Sequence, residues 1–294
     1  MISIADGTNL VFRYWHGIPP KELYPFGKTQ MFNNVLYGWF NQIARWAHPK
    51  SEVDLDQLTV VFDGPGCRIR EFYPEYKAQR SEKPEGFYEQ VKVLMKMTEW
   101  LGIKVVQSPD EADPAIVYLA KAAAAEREVQ MISSDKDMMQ VVRDEAPGRS
   151  GCAISQLRPE NKGGGFKRFR ERDVVEKLGV PPRLVPQLLA IWGDTSDNVP
   201  GIRGIGEKGA VELLTKYGSL KGIVENAANL PKGQRNKLAA GLPSLPTYLR
   251  VVRIEPLMVS VPTPNPNPKA FMGACAKLGL LKQMEELMEA GMVL

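Results

Sequence analysis

The sequence predicts an α/β fold, a mostly parallel sheet with helices on both faces, followed by a small all-helical domain. Short β-branched-rich apolar runs alternate with longer amphipathic runs through the first half of the chain, and several of the short runs end in an acid. After Gly163-Gly164-Gly165 the strand signals fade and short helical patterns take over. Alternation of this kind argues for parallel βαβ units, whose ligand crevice lies beyond the carboxyl ends of the strands.

Taken in order, Ile2 to Ala5 runs into Asp6, Leu58 to Phe62 into Asp63, and Val129 to Ser134 into Asp135. Ile103 to Gln107 leads into Ser108-Pro109-Asp110-Glu111-Ala112-Asp113. Helical patterns fill the intervals at Asn33 to Ala47, Gly86 to Leu101, Pro114 to Glu126 and Asp137 to Arg143. In the second half Glu171 to Leu178, Arg183 to Trp192, Gly209 to Tyr217 and Gln234 to Gly241 read as short helices. A boundary between 165 and 175 follows, giving domains 1–170 and 171–294. The Pro-rich stretch Val261 to Lys269 reads as an extended link to one last amphipathic helix, Lys269 to Met292.

The 294 residues, 44% of them hydrophobic, suffice for a buried core. Asp6 interrupts the first apolar stretch and no apolar run approaches membrane-spanning length, so the chain is read as a soluble cytoplasmic protein with no membrane partner. Three widely spaced cysteines fit a reducing compartment better than a disulfide framework, and two histidines argue against zinc. A net charge of +4 permits nucleic-acid binding without demanding it.

Eight carboxylates stand at strand ends or motif turns: Asp6, Asp63, Glu111, Asp113, Asp135, Asp137, Asp194 and Asp197. Brought into one crevice, they cannot all stay ionised without cations. An all-oxygen set favours magnesium or manganese, and two such ions roughly 4 Å apart suit an in-line phosphodiester displacement. The competing reading of any single one is a helix cap or turn residue. Recurrence at several independent strand ends weighs against it.

Gly201 to Ala210 has the form GIxGIGxKxA and lies between two helices. Glycines permit a tight turn and close backbone approach, so that amides opening the second helix face a phosphate, with Lys208 adding charge. A glycine-capped helix turn is the plainer alternative. Because no strand precedes it, a dinucleotide site is excluded. Between Asp63 and Gly86, Arg68, Arg70, Lys77, Arg80 and Lys83 interleave with Phe72, Tyr73 and Tyr76, a mixture that suits phosphates and unpaired bases. Glu71, Glu75 and Glu82 dilute the charge and leave a solvated loop as the other reading. A further cluster, Lys162 with Lys167-Arg168-Phe169-Arg170, reads as a solvated turn.

Six words of sequence then resemble one family: ADGTNL (Ala5 to Leu10), VVFDGPG (Val60 to Gly66), YPEYKAQR (Tyr73 to Arg80), DEADP (Asp110 to Pro114), ISSDKDMMQ (Ile132 to Gln140) and GDTSDNVPGIRGIGEKGA (Gly193 to Ala210). In this order they resemble the structure-specific 5′ nucleases, comprising bacteriophage 5′-3′ exonucleases, the N-terminal nuclease domain of bacterial DNA polymerase I and flap endonucleases. The resemblance implies a PIN-like catalytic domain with a helical arch near 64–100, then a helix-hairpin-helix-type DNA-binding domain.

It further implies that the eight acids hold two Mg2+ or Mn2+ ions, with Asp63 also counted as catalytic. Lys77 and Arg80 match arch cations that steer the scissile phosphate, and Arg68, Arg70 and Tyr76 join them on the DNA strand. Gly201, Gly204, Gly206 and Lys208 match the duplex-binding hairpin, where carbonyls of Val199, Ile202 and Ile205 would hold K+. The implied substrates are DNA 5′ ends, flaps and single-strand/duplex junctions, with RNA primers as a further candidate. The implied enzyme is a monomer, and with no polymerase after Leu294 it stands alone. One departure stands out: the family reads EADD where this chain has Glu111-Ala112-Asp113-Pro114, so one carboxylate is missing. Pro is welcome at the first helical position with Asp113 as N-cap. The alternatives are a structure-specific DNA-binding protein with weakened or lost catalysis because of Pro114, and a PIN-like ribonuclease, against which the hairpin argues.

Overall fold

The computed structural model describes residues 1–292 except 21, 27–28, 84, 147–149 and 161–164. β1 (Ile2–Asp6) turns directly into α1 (Gly7–Gly17). An antiparallel hairpin, β2 (Leu23–Phe26) with β3 (Thr29–Phe32), leads to α2 (Asn34–Ala47) and β4 (Leu58–Phe62). Next come α3 (Arg68–Phe72), α4 (Phe87–Trp100), β5 (Lys104–Gln107), α5 (Ala112–Ala123) and β6 (Val129–Ile132). β7 (Ile154–Pro159) and β8 (Phe166–Phe169) complete a six-stranded sheet of order β5-β4-β1-β6-β7-β8, parallel except for β8.

Alternation along the strands sends side chains to opposite faces, and both faces are covered. Ile4, Val61, Val106 and Met131 join a core with α5 and the helical region, whereas Ala5, Val60, Val105 and Ile132 join a core with α1, α2 and α4. The chain leaves β1 for β4 and β5 on one side and later returns to β6 on the other. The carboxyl end of β1 is therefore the switch point at which such sheets open a crevice.

The helical region comprises α6 (Glu171–Leu178), α7 (Val185–Trp192), α8 (Glu207–Tyr217), α9 (Leu220–Glu225), α10 (Lys232–Gly241) and α11 (Leu245–Val252). An irregular strap follows, whose Leu257 N–H donates to Pro114 O (2.9 Å) and whose Asn267 N–H donates to Trp100 O (2.9 Å). Among the described residues no helix is long and apolar enough to cross a membrane.

Three sequence expectations need correction. Asp137 to Arg143 is no α-helix; a short 3-10 turn, Asp137–Val141, stands there. The single last helix is two, α12 (Pro268–Lys277) and α13 (Leu281–Glu289), broken at Gly279, whose φ of +66° and tight contact with the Tyr24 ring exclude a side chain. Among the described residues, these two helices place their buried side chains on the first domain and not in the core of α6 to α11, with which they were grouped. Phe271, Cys275 and Leu287 join the α2/α4 core, with Phe271 edge-on to Phe40 at 5.3 Å.

Candidate active site

Asp6 closes β1 and caps α1: Oδ1 accepts from Asn9 N–H (2.9 Å) and Oδ2 from Ser133 Oγ–H (2.9 Å). The cap reading of Asp6 holds, and the same carboxylate stands at the carboxyl end of β1. Asp63, past β4, accepts from Ala112 N–H at 2.9 Å and so ties the start of α5 to the end of β4. Glu111, not Asp113, is the N-cap position of α5, which puts Pro114 third in the helix. A first-turn amide has no intrahelical partner, so proline is tolerated there. Asp135 and Asp137 occupy the turn after β6, where Asp137 N–H donates to Asp135 Oδ1 (2.9 Å).

The helical region contributes the rim. Asp194 caps and Asp197 ends the 3-10 turn Thr195–Asp197, and Asp194 Oδ1 accepts from Ser196 N–H (2.9 Å), Ser196 Oγ–H (2.6 Å) and Lys136 Nζ (2.9 Å). Buried Asp137, Asp194 and Asp197 each place a carboxylate oxygen within 4.8 Å of the others. Asp135 links this group to the sheet side, because its charge acts on Asp6, Asp113, Asp137 and Asp197 alike.

Burial pushes the Asp6 carboxyl up to about 7, with Asp63 and Asp135 adding to the rise against hydrogen bonds from Asn9 and Ser133. Burial lifts Asp197 to about 6 although Lys77 pulls it down. Asp113 and Asp137 lie well above the ordinary range, first through burial and then through Asp135. Among the described residues Asp137 Oδ1 and Asp194 Oδ2 are buried with no hydrogen-bond donor. Repelling carboxylates with orphaned oxygens and no nitrogen or sulfur donor fit a hard divalent cation.

The segment after Asp63 lies folded over this crevice. Lys77 adopts φ +53°, and its Nζ pairs with Glu111 Oε1 (2.7 Å) and Asp197 Oδ1 (3.7 Å). Burial pulls its pKa down, but Glu111 and Asp197 outweigh burial and the net shift is upward. Arg80 reaches Ser196 O (3.2 Å) and Asp197 (3.7 Å), Gln79 donates to Thr195 O (2.6 Å), and Tyr73 Oη donates to Asn198 O (2.8 Å). Tyr76 departs from its expected role on DNA. It is 2% exposed, and its hydroxyl donates to Glu111 Oε2 (2.7 Å), so its ring presents no face to a base. Arg70 and Arg68 also make internal contacts, to Tyr76 O (3.2 Å) and Asp110 Oδ2 (2.6 Å). That ion pair, with the Arg68 and Glu111 amides, engages the Asp110 carboxylate. Lys162 lies outside the described residues, while Arg168 is held internally by Ser155, Gln130 and Glu52.

In the hairpin between α7 and α8, Gly201 and Gly204 have φ of +68° and +82°. A Cβ on Gly201 would strike the Trp192 backbone at 2.5 Å. Gly206 caps α8 and Lys208 is exposed beside it. Val199, Ile202 and Ile205 bury their side chains. The Val199 and Ile202 carbonyls accept from Asp194 and Ile205 N–H groups (2.8 and 2.9 Å), while Lys237 Nζ donates to Gly204 O (2.9 Å). Sequence reasoning passed over Asn9, Ser133, Lys136 and Gln156, all of which contact acid-bearing segments. Lys136, set between Asp135 and Asp137, carried the one usable signal.

A parallel sheet with acids at its switch point, overlaid by Lys77 and Arg80 and rimmed by a glycine hairpin, defines an α/β class with an acidic centre. Residues 1–179 match the family model described as 5′-3′ exonuclease, N-terminal resolvase-like domain, and residues 180–264 match 5′-3′ exonuclease, C-terminal SAM fold. The chain belongs to the 5′-3′ exonuclease family. It is 34% identical to the 5′-3′ exonuclease of Aquifex aeolicus over 228 residues, 76% of this chain and 72% of that one. It is 32% identical to DNA polymerase I of Mycobacterium tuberculosis over 247 residues, 83% of this chain; the aligned part spans 26% of that protein's length. A structure of the T5 5′-exonuclease with bound zinc shares the fold, with a TM-score of 0.65, 24% identity and 98% of both chains covered.

Proposed function

We propose that the chain is a divalent-metal-dependent 5′ nuclease that cuts DNA near 5′ ends, flaps and single-strand/duplex junctions. The observation that carries this is the buried meeting of Asp137, Asp194 and Asp197, two of them with orphaned oxygens, beside Asp135 at the sheet's switch point. Asp6, Asp63, Glu111 and Asp113 supply the sheet side of the same centre, and two Mg2+ or Mn2+ ions are the best fit to so many acids. When bound, such ions acidify a water and neutralise the charge developing on the leaving oxygen.

The chain's own groups do the rest. Lys77 and Arg80 stand over the acids and orient the scissile phosphate, supported by the turn at 195–197. Tyr76 and Lys77 together fix both oxygens of Glu111. Arg68 and Arg70, exposed although they contact Asp110 and Tyr76 O, extend the positive surface along the strand. The glycine hairpin with Lys208 grips duplex phosphates through amides opening α8. K+ at the Val199, Ile202 and Ile205 carbonyls is part of this proposal, as are action on RNA primers, a monomeric state and a cytoplasmic location.

An end-labelled 5′-flap duplex incubated with magnesium should release short 5′ products, and chelator should stop the release. Equal cleavage with and without chelator, or none at any magnesium concentration, refutes the assignment. Pro114 supports a second reading, a DNA-binding protein of weakened catalysis, because it puts a proline where the family pattern has a carboxylate. Tight flap binding without cleavage would select that reading.

A further inference from the structure

β7 breaks the pattern of a buried parallel strand. Ile154, Ser155, Gln156 and Leu157 are all buried, yet the middle two are polar. Gln156 is wholly enclosed, and its Nε2 donates to two carbonyls, Ser133 O (2.9 Å) and Asp135 O (2.5 Å). Arg158, two residues on and so on the same face, donates Nη1 to the same Asp135 O at 2.8 Å. Among the described residues Gln156 Oε1 has no hydrogen-bond partner. Enclosing an amide with its acceptor unused is unfavourable, and leucine or methionine would fill similar space without that cost. Such a broken local rule is the kind that accompanies function.

The two carbonyls belong to the turn that bears Asp135 and Asp137. On its other side Ser133 Oγ–H donates to Asp6 Oδ2, the Asp135 N–H donates to Ser133 Oγ (3.1 Å), and Ser134 contacts Asn9. One short turn therefore carries two acids, touches a third, and is gripped from beneath by β7.

We infer that Gln156, assisted by Arg158, is a positioning residue of the metal centre, fixing the 133–135 backbone and so the direction in which Asp135 and Asp137 present their carboxylates. This rests on the metal-centre reading above. Neither side chain needs to touch substrate; each acts through the turn, as groups behind metal ligands commonly do.

The test measures Mn2+ binding to the full chain by electron paramagnetic resonance without DNA, beside melting temperature and magnesium-dependent flap cleavage. Gln156→Met, which keeps volume and removes the donor, should weaken Mn2+ binding about tenfold or more. It should raise the magnesium needed for half-maximal cleavage with little change in the rate at saturation. Arg158→Met, at a half-buried position where folding is safer, should weaken Mn2+ several-fold in the same direction. Leu157→Val, which trims the opposite face of β7, should lower the melting temperature and leave Mn2+ affinity unchanged. If the parent binds Mn2+ and both polar variants bind it equally well, the inference is overturned while the metal centre stands. It is likewise overturned if Leu157→Val loses as much affinity as Gln156→Met. A parent that binds no Mn2+ overturns the metal-centre reading and this inference with it.

Discussion

The sheet side and the helical rim of the acidic crevice differ in how their carboxylates are used. Asp6 and Asp63 each serve the fold: one caps α1 and receives Ser133, the other anchors the first turn of α5. On the rim, Asp194 spends one oxygen on Ser196 and Lys136 and leaves the other without a donor, and Asp137, which faces it from the turn after β6, has a bare Oδ1 as well. A carboxylate that is also a cap cannot be removed without disturbing a helix, whereas a rim carboxylate is held in place and free to ligate. The sheet side thus couples stability to the site, and the rim carries mostly the site.

The largest effect expected from this difference follows Asp194→Asn. It keeps the acceptor for Ser196 and removes ligating charge, so cleavage should fall on the order of 10^3-fold with flap binding and melting temperature nearly unchanged. Asp6→Ala should lose cleavage and also about 1 kcal/mol of stability with its cap. Near parental cleavage by Asp194→Asn, or equal melting-temperature losses in the two variants, would break the comparison.

Next in size is a pH effect on the protein kept in chelator. An acid whose folded-state pKa is raised holds its proton more tightly folded than unfolded, so its contribution is full below pH 4 and is lost as pH rises through the folded value. With Asp6 raised from 3.8 to about 7 and Asp197 from 3.8 to about 6, stability should fall between about pH 4 and pH 7 and level off above that. At about 1.4 kcal/mol per unit the loss is on the order of a few kcal/mol. Magnesium should flatten the slope. Denaturant titrations across that range check this, and a stability that rises with pH in chelator contradicts it.

Smaller again is the division between roof and hairpin. Lys77→Ala should slow cleavage on the order of a hundredfold with little loss of duplex affinity. Lys208→Ala should mainly weaken binding and flatten its salt dependence by about one unit of slope. Equal effects of both changes on rate and affinity would remove the distinction. The smallest change expected is from Pro114→Asp. The first turn of α5 favours negative charge, so the helix should tolerate it, and the magnesium needed for half-maximal cleavage should fall several-fold. An unchanged magnesium curve would show that the centre is complete without that acid.

The sheet and its acids were legible because β1, β4, β5 and β6 are short apolar runs whose ends coincide with Asp or with the acidic turn after Gln107. β7 and β8 were not, since Ser155, Gln156 and Arg168 look like loop residues until their buried partners are known. Helix α1 escaped because it starts directly on Asp6, with no turn signal between strand and helix. Tyr76 was misplaced because composition cannot distinguish an aromatic that stacks on a base from one that holds a glutamate. The return of α12 and α13 onto α2 depends on contacts between residues more than two hundred positions apart, which periodicity does not record.

The central claim is that acids from the sheet and from the helical rim form one metal centre. Anomalous diffraction from crystals soaked in manganese tests it most directly. The account predicts an ion among Asp137, Asp194 and Asp197, with a second on the side of Asp6 and Asp113. Manganese bound elsewhere, with none at Asp137, Asp194 and Asp197, would contradict it.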